Sequence, residues 1–220
     1  MLANDVELAR RNMVLQQVRP WEVIDERVLE VIQRVPREAF VPETYLGLAF
    51  ADVEIPLGQG AAMMAPKLEA RMLQALDVRP GDRVLEVGTG SGFVTACLRA
   101  LGGSVTSLDI HGEFTAAARS RLEELKVDGV RLETADVFAR DFGNHNFEVI
   151  ALTGSLPHYD ERFEQLLARG GRLFVVVGEP PAMKATLVQR VGETALRRQG
   201  LFETELAALE NAPIPEHFVF

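Results

Sequence analysis

The sequence has few of the features that mark secreted or membrane proteins. Cys97 is the single cysteine among 220 residues, so an intrachain disulfide cannot form and a reducing, cytoplasmic location is the simplest expectation. The first residues lack a basic start followed by an apolar stretch, and no apolar run is long enough to span a bilayer. The sequence therefore predicts no signal peptide and no membrane partner.

Positive charge is also scarce in this chain. It carries 23 Lys and Arg against 32 Asp and Glu, a formal net charge of −9, and shows no basic run. Nucleic-acid phosphates favour a basic face, so we expect no nucleic-acid partner. The histidines are scattered without the spacing of metal ligands, and they predict no metal site: His111, His145, His158 and His217.

A regular alternation of strand and helix patterns occupies the middle of the chain. Short apolar runs typical of buried strands alternate with stretches whose apolar residues recur at helical spacing. Strands are predicted at 83–87, 104–108, 130–133, 147–152 and 172–177, and helices at 93–101, 113–125 and 159–168. This order predicts an α/β fold with a mostly parallel sheet and helices on both faces.

The two ends of the chain have different patterns. Residues 5–18 and the stretch after Asp25 predict two helices, of which the second ends at Pro36. Pro66 suits the first residue of a third helix. Segments 185–190 and 201–205 look like strands with no helix between them, which predicts an antiparallel hairpin that closes the parallel sheet.

The segment Glu86-Val-Gly-Thr-Gly-Ser-Gly92 directly follows the first predicted strand of the parallel sheet. Ligands of open parallel sheets bind at this edge, and alternate glycines let the backbone approach a ligand closely. A dinucleotide site favours glycine or alanine where Phe93 stands, and Glu86 would repel a pyrophosphate but attract an ammonium group. The loop therefore favours S-adenosylmethionine, which has an ammonium group and no phosphate. A purely structural glycine turn is the alternative.

Two aspartates and a threonine follow the next predicted strands at the same edge of the sheet. Asp109 can accept hydrogen bonds from both hydroxyls of a ribose, and its alternative role is to cap the helix after Gly112. Asp136 is placed to accept from an adenine amino group, and a loop or helix cap is its alternative. Thr153 follows the fourth strand, where it would line the methyl-transfer side.

Five further stretches have distinctive sequence motifs: Met13-Val-Leu-Gln-Gln-Val-Arg19, Val35-Pro-Arg-Glu-Ala-Phe-Val-Pro42, Ile55-Pro-Leu-Gly58, Pro80-Gly-Asp-Arg-Val-Leu-Glu86 and Gly170-Gly-Arg-Leu173. With them, nearly the whole chain resembles the protein-L-isoaspartate O-methyltransferase family. The resemblance implies a single domain with a seven-stranded Rossmann-like sheet. Residues 1–65 would form a helical cover over the site, and residues 66–220 the cofactor-binding core. It also implies methyl transfer from S-adenosylmethionine to the free carboxylate of isoaspartyl residues in damaged proteins.

The chain departs from this family in one segment. Family enzymes carry a Gly-Gln-Thr-Ile-Ser-x-Pro type sequence, whose serine is regarded as catalytic. Here the segment is Gly60-Ala-Ala-Met-Met-Ala-Pro66, so Met64 stands at the serine position and no catalytic residue is assigned. Three hypotheses stay open: an isoaspartyl methyltransferase, a methyltransferase for a different, less polar acceptor, and an inactive cofactor-binding homologue.

The predicted site has a cofactor side and a substrate side. The predicted cofactor-binding residues are Glu86, Gly88, Thr89, Gly90, Gly92, Asp109, Ile110, Asp136, Val137 and Thr153. The predicted substrate-lining residues are Ala61, Ala62, Met63, Met64 and Ser155, of which Ser155 could restore one hydroxyl from another loop. The predicted partner is a protein or peptide substrate, reached by a monomer or a homodimer.

Overall fold

The structure, a computed structural model, describes residues 3–143 and 146–214; His145 and His217 lie outside this part of the chain. The helices are α1 (Ala3–Met13), α2 (Glu26–Arg34), α3 (Pro66–Leu76), α4 (Phe93–Ala100), α5 (Gly112–Glu124) and α6 (Arg162–Gln165). The strands are β1 (Ile55–Gly58), β2 (Ala61–Met63), β3 (Arg83–Val87), β4 (Ser104–Asp109), β5 (Val130–Thr134), β6 (Phe147–Leu156), β7 (Leu167–Val177), β8 (Lys184–Arg190) and β9 (Leu196–Glu203).

Seven of the strands form one sheet in the order β5-β4-β3-β6-β7-β8-β9. The first five run parallel, and β8 and β9 continue the sheet as an antiparallel pair. Since β4 lies on one side of β3 and β6 on the other, the strand order reverses at β3. This is the point at which open parallel sheets bind ligands, and the predicted fold class is confirmed.

Most residues of the central strands β3 and β6 are apolar and buried because helices cover both faces of the sheet. Val84, Leu85 and Val87 of β3 are all buried, as are Val149 and Ile150 of β6. Buried strands of this kind lack a polar face. The strands therefore stand out in the sequence as short apolar runs, and their predicted positions agree with the structure to within a few residues.

The N-terminal segment packs on α3 and α4. Asp25 begins α2 by accepting a hydrogen bond from the Arg27 N–H, and Val35 ends it before Pro36. The helix turns Val28, Leu29 and neighbouring apolar side chains into the core. After α1 the chain continues as a π-helical turn (Val14–Val18), where the sequence predicts an uninterrupted α-helix.

The predicted helix at 159–168 is wrong in length, because the structure confines α6 to Arg162–Gln165. The Asp160 carboxylate accepts from the Arg162 N–H at the start of the helix. Leu167 is buried and pairs with Phe147 as the first residue of β7. Helical spacing assigns Leu167 to α6, but in the structure it belongs to the sheet, because pairing with β6 buries its side chain and gives its backbone hydrogen-bond partners.

Strand β9 also begins earlier than predicted, at Leu196 instead of Leu201. Its first residues are mostly exposed, and it lies at the edge of the sheet, where polar side chains are tolerated. The apolar pattern used to predict strands is therefore missing from the first half of β9. Among the described helices, none is long and apolar enough to cross a membrane.

Candidate functional site

A cleft of about 710 Å³ lies at the carboxyl edge of the sheet, above the strand reversal at β3. Three parts of the chain enclose it: the ends of β3, β4 and β6, the β1–β2 hairpin, and the segment after β9. Smaller cavities of about 320 Å³ and 300 Å³ adjoin it on either side of the glycine loop. The cleft therefore lies where the sequence predicts a ligand.

The glycine loop turns at the end of β3 with its backbone close to neighbouring side chains. Gly88 has a φ of +97°, and a Cβ there would lie 2.2 Å from the Thr153 Oγ1. Gly92 has a φ of +89°, and a Cβ would lie 2.9 Å from the Ala118 Cβ. Both positions require glycine, since side chains are disfavoured at these φ values and the space is filled.

Gly90 is the member of the loop that faces the cleft with the most room. Its φ is +50°, and a Cβ would meet a single atom within 4 Å, Leu57 Cδ1 at 3.1 Å. Its N–H donates to Asp109 Oδ2 at 2.8 Å. The N–H groups of Gly88 and Thr89 donate to the Leu108 carbonyl, so the loop is held to the end of β4.

Asp109 ends β4 and is 7% exposed where it borders the cleft. Besides the Gly90 N–H, its carboxylate accepts from the His111 N–H through Oδ1 at 2.9 Å. His111, not Asp109, is the residue that precedes α5, so Asp109 does not cap that helix. Each carboxylate oxygen keeps a further acceptor position, which leaves the predicted role toward a ribose chemically available.

Glu86 is enclosed in the core beneath the loop and does not line the cleft. It is fully buried and accepts a hydrogen bond from Thr95, and its Oε1 has no partner among the described residues. Burial raises the pKa of Glu86 to about 8, against the hydrogen bonds from Thr95 and Ser107. The carboxyl is therefore mostly protonated at neutral pH, and the structure does not support its predicted direct attraction for a ligand ammonium group.

Asp136 and Thr153 are both partly occupied by contacts within the chain. Asp136 accepts from the Phe138 N–H through Oδ1 and from the Asn211 side-chain amide through Oδ2, each at 2.8 Å. The Thr153 hydroxyl lies 2.8 Å from the Val87 carbonyl and 2.6 Å from the Gly88 carbonyl, and it donates its proton there. Each side chain keeps acceptor capacity for a ligand, and Thr153 has no free proton to donate.

On the opposite side of the cleft, the β1–β2 hairpin presents apolar side chains. Ala61 and Ala62 line the cleft itself. Met63 and Met64, each 4% exposed, border the small cavity against the glycine loop. Ser155 is 1% exposed and donates to the Leu206 carbonyl at 2.7 Å, so it does not supply the hydroxyl considered for this side.

The structure thus separates the predicted site residues into three groups. Gly88, Gly90, Asp109, Ile110, Thr153, Ala61 and Ala62 meet at the cleft. Asp136 and Val137 line one adjoining cavity, and Thr89, Met63 and Met64 line the other. The third group is enclosed by neighbouring residues and lines none of these cavities: Glu86, Gly92 and Ser155. Within residues 3–143 and 146–214, no cluster of His, Cys, Asp and Glu could hold a metal ion.

Comparison with known proteins shows to which family this chain belongs. The family described as protein-L-isoaspartate(D-aspartate) O-methyltransferase matches residues 9–206. A protein-L-isoaspartate O-methyltransferase of Koribacter versatilis is 35% identical over 202 residues, 92% of this chain and 90% of that protein. One from Aeropyrum pernix is 34% identical over 195 residues, 87% of this chain and 75% of that protein. The chain belongs to the protein-L-isoaspartate O-methyltransferase family.

A solved structure supports the same fold. A chain from Plasmodium falciparum named as a member of this family, in complex with S-adenosyl-L-homocysteine, superposes with a TM-score of 0.79. The superposition covers 90% of this chain and 96% of that one at 19% sequence identity. Members of the family are S-adenosylmethionine-dependent methyltransferases, and S-adenosylmethionine is accordingly the cofactor.

The cleft fits this cofactor. The cleft is lined by the carboxylates of Glu54, Asp109 and Glu210, which suit a cationic ligand, and within the described residues no Lys or Arg lines it to receive a phosphate. The glycine loop brings backbone rather than side chains to the ligand, and Asp109 offers acceptors to ribose hydroxyls. With this arrangement the chain has only to bind and orient the cofactor and the acceptor.

Sequence reasoning missed the segment that follows β9, here called the C-terminal strap (Leu206–Asn211). The Ser155 N–H donates to the Ala207 carbonyl, and the Leu209 N–H donates to the Ser155 carbonyl, so the strap runs beside the end of β6. Glu210 contacts the His111 ring at 2.7 Å. The strap begins where the family match ends, and its sequence has no strand or helix period that would reveal it.

Sequence reasoning also left Arg37 without a role. This side chain is fully buried, pairs with Glu69, and donates to the carbonyls of Ala49 at 2.9 Å and Met64 at 2.8 Å. Its guanidinium lies over the Phe93 ring at 4.9 Å. Burial raises the pKa of Glu69, and Arg37 opposes that effect. Arg37 therefore fixes the backbone of Met64 against α3, beneath the apolar wall of the cleft.

Proposed function

We propose that this protein transfers a methyl group from S-adenosylmethionine to the free carboxylate of isoaspartyl residues in peptides and damaged proteins. The observation that carries the proposal is identity of 34–35% with named protein-L-isoaspartate O-methyltransferases over most of both chains. The proposal includes a protein acceptor in the cytoplasm, a single domain, and a monomer or homodimer.

The chemistry makes few demands on the side chains. S-adenosylmethionine supplies the methyl group as an electrophile when it is bound. A carboxylate is already an anion at neutral pH, so no strong general base is required. The acceptor oxygen forms a bond to the methyl carbon while the carbon–sulfur bond breaks, and the electron pair stays on sulfur. The chain aligns the reacting atoms and excludes water.

The residues of the cleft suit these tasks unequally. The glycine loop and Asp109 would hold the cofactor, while Thr153 lies between the loop and the acceptor side. Ala61 and Ala62 would form the wall behind the acceptor and exclude water. None of these side chains donates a hydrogen bond to a carboxylate, and the family serine hydroxyl is replaced by Met64.

A second candidate is favoured by this apolar wall. A carboxylate pressed against Met64 loses hydrogen bonds to water, while a less polar acceptor would lose little. The protein would then be a methyltransferase for another acceptor and would bind the cofactor without esterifying isoaspartyl peptides. A cofactor-binding homologue without turnover is the third possibility.

One assay separates these candidates. The protein is incubated with methyl-labelled cofactor and either an isoaspartyl peptide or the same peptide with ordinary aspartate. The proposal predicts base-labile methyl ester on the isoaspartyl peptide alone. Label that stays at the blank level, in protein that binds S-adenosylhomocysteine by calorimetry, would reject isoaspartyl activity and leave the second and third candidates.

A further inference from the structure

The ionisable side chains that line the cleft are acidic apart from one histidine. Glu54, Asp109 and Glu210 line it together with His111, and no Lys or Arg in the described part of the chain does so. An isoaspartyl carboxylate that enters this cleft brings a further negative charge. The acceptor side of the cleft therefore has no cation of its own to offset that charge.

The nearest guanidinium beneath the acceptor wall cannot serve as this cation. Arg37 is fully buried and bonded to Glu69, which offsets its charge. Its remaining donors bind backbone carbonyls, one of them that of Met64. An anionic acceptor would have to break these bonds to reach Arg37, so the pair adds no positive charge to the cleft.

Glu54 is an exposed residue at the base of the β1–β2 hairpin, on the side of the cleft proposed for the acceptor. The antiparallel register of the hairpin pairs Ile55 with Met63 as its last pair, so Glu54 and Met64, the family serine position, each lie one residue beyond that pair. Its side chain lines the cleft beside Ala61 and Ala62. Partial burial and then the negative charge of Glu205 raise the pKa of Glu54, which is consistent with its place in an acidic part of the cleft.

We propose that the acceptor site selects peptides with a lysine or arginine beside the methylated carboxylate, and that Glu54 contacts this cation while Glu205 strengthens the local field. The substrate would thus supply the positive charge that the cleft lacks. The inference rests on the proposed function, since it assumes a carboxylate acceptor. It assigns Glu54 a role in specificity, not in the transfer step.

The test uses matched isoaspartyl peptides that differ only in the neighbouring residue, lysine, alanine or glutamate. Their dissociation constants are measured by calorimetry on protein saturated with S-adenosylhomocysteine, and their kcat/KM values with S-adenosylmethionine. Each step from acidic to neutral to basic should tighten binding about threefold, or about tenfold in all, as expected for a rim ion pair. Added salt should shrink the difference.

Two variants of Glu54 and one control sharpen the test. E54Q should abolish most of the preference, and E54K should reverse it, because the position is exposed and tolerates either side chain. E30Q removes the same charge from the exposed face of α2 and should leave the preference unchanged. A lysine peptide with ordinary aspartate reports attraction that does not depend on the isoaspartyl group.

The outcomes separate this inference from the proposed function. Binding that follows the neighbouring charge and responds to E54Q supports the inference even if no methyl ester forms, a result that would count against the proposed function alone. Methylation of all three peptides with equal constants would overturn the inference and leave the function standing. Failure of every peptide to bind the loaded protein would overturn both.

Discussion

The cleft has two walls that differ in the polarity of the groups they present. The cofactor wall presents the glycine backbone, Asp109 and Thr153, which are polar and held by hydrogen bonds of 2.6–2.9 Å. The opposite wall, proposed for the acceptor, presents Ala61 and Ala62, with Met64 in the adjoining cavity, and these three side chains offer no hydrogen bond. If the walls have the roles proposed for them, the chain keeps the cofactor half of the family's site while the half that would meet the acceptor has a different chemistry.

Loss of the buried Arg37–Glu69 ion pair under the acceptor wall should have the largest effect on stability. R37L leaves Glu69 buried without its partner, and we expect the free energy of unfolding to fall by about 3–5 kcal/mol in urea titrations. The double variant R37L/E69L removes both charges and should recover most of this loss. Equal stability of R37L and the wild type would contradict the structural role of the pair.

A substitution in the glycine loop should lower the free energy of unfolding somewhat less. In G88A the new Cβ would lie 2.2 Å from the Thr153 Oγ1 at a φ of +97°, so we expect a loss of about 2–4 kcal/mol in unfolding free energy. Binding of S-adenosylhomocysteine should weaken with it. G47A serves as the control, because a Cβ at Gly47 meets nothing within 4 Å. The two variants should differ clearly in thermal unfolding.

The buried carboxyl beneath the glycine loop should make stability depend on pH. The pKa of Glu86 is about 8 in the folded protein against an ordinary 4.5, so its stabilisation is fully present below pH 4.5 and is lost as the pH rises through 8. Between about pH 6 and about pH 8 the expected loss is about 2 kcal/mol. Urea unfolding of E86Q should lack this part of the slope. An identical slope in E86Q and the wild type would count against the burial effect.

A change in the C-terminal strap, which also lines the cleft, should have the smallest effect. E210A removes the contact with His111, and we expect S-adenosylhomocysteine to dissociate about threefold faster, the size typical of an exposed polar pair. Stopped-flow displacement measures this rate, with E30Q as the control. A slower rate would mean that the strap competes with the ligand instead of retaining it.

The sheet and the glycine loop could be predicted from the sequence for a physical reason. Buried parallel strands appear in the sequence as short apolar runs. Glycine is required at Gly88 and Gly92 because of the φ value at each position and the atoms packed beside it. These signals are local. The position and conformation of the glycine loop were therefore largely predictable, whereas its contacts with S-adenosylmethionine stay a prediction and the argument from a charged Glu86 is not supported, because that side chain is buried.

The remaining features depend on contacts between distant residues. Arg37 reaches Glu69 across 32 positions, and no spacing rule connects them. Ser155 follows Thr153 by two residues, so a regular strand would put both on one face. The pairing of β6 with β7 shifts register between Ala151 and Ser155, and Ser155 bonds to the strap instead. Such irregular pairings, like the strap itself, cannot be read from a periodic pattern.

The most direct test of the difference between the walls restores the family hydroxyl. Methyl transfer to an isoaspartyl peptide is followed against cofactor concentration for the wild type, M64S and M64A, where alanine controls for the lost methionine volume. A hydrogen bond from serine should raise kcat about tenfold over M64A, with the KM for the cofactor unchanged. Equal kcat in M64S and M64A, or a cofactor KM that changes with the serine, would contradict the separation of the two walls.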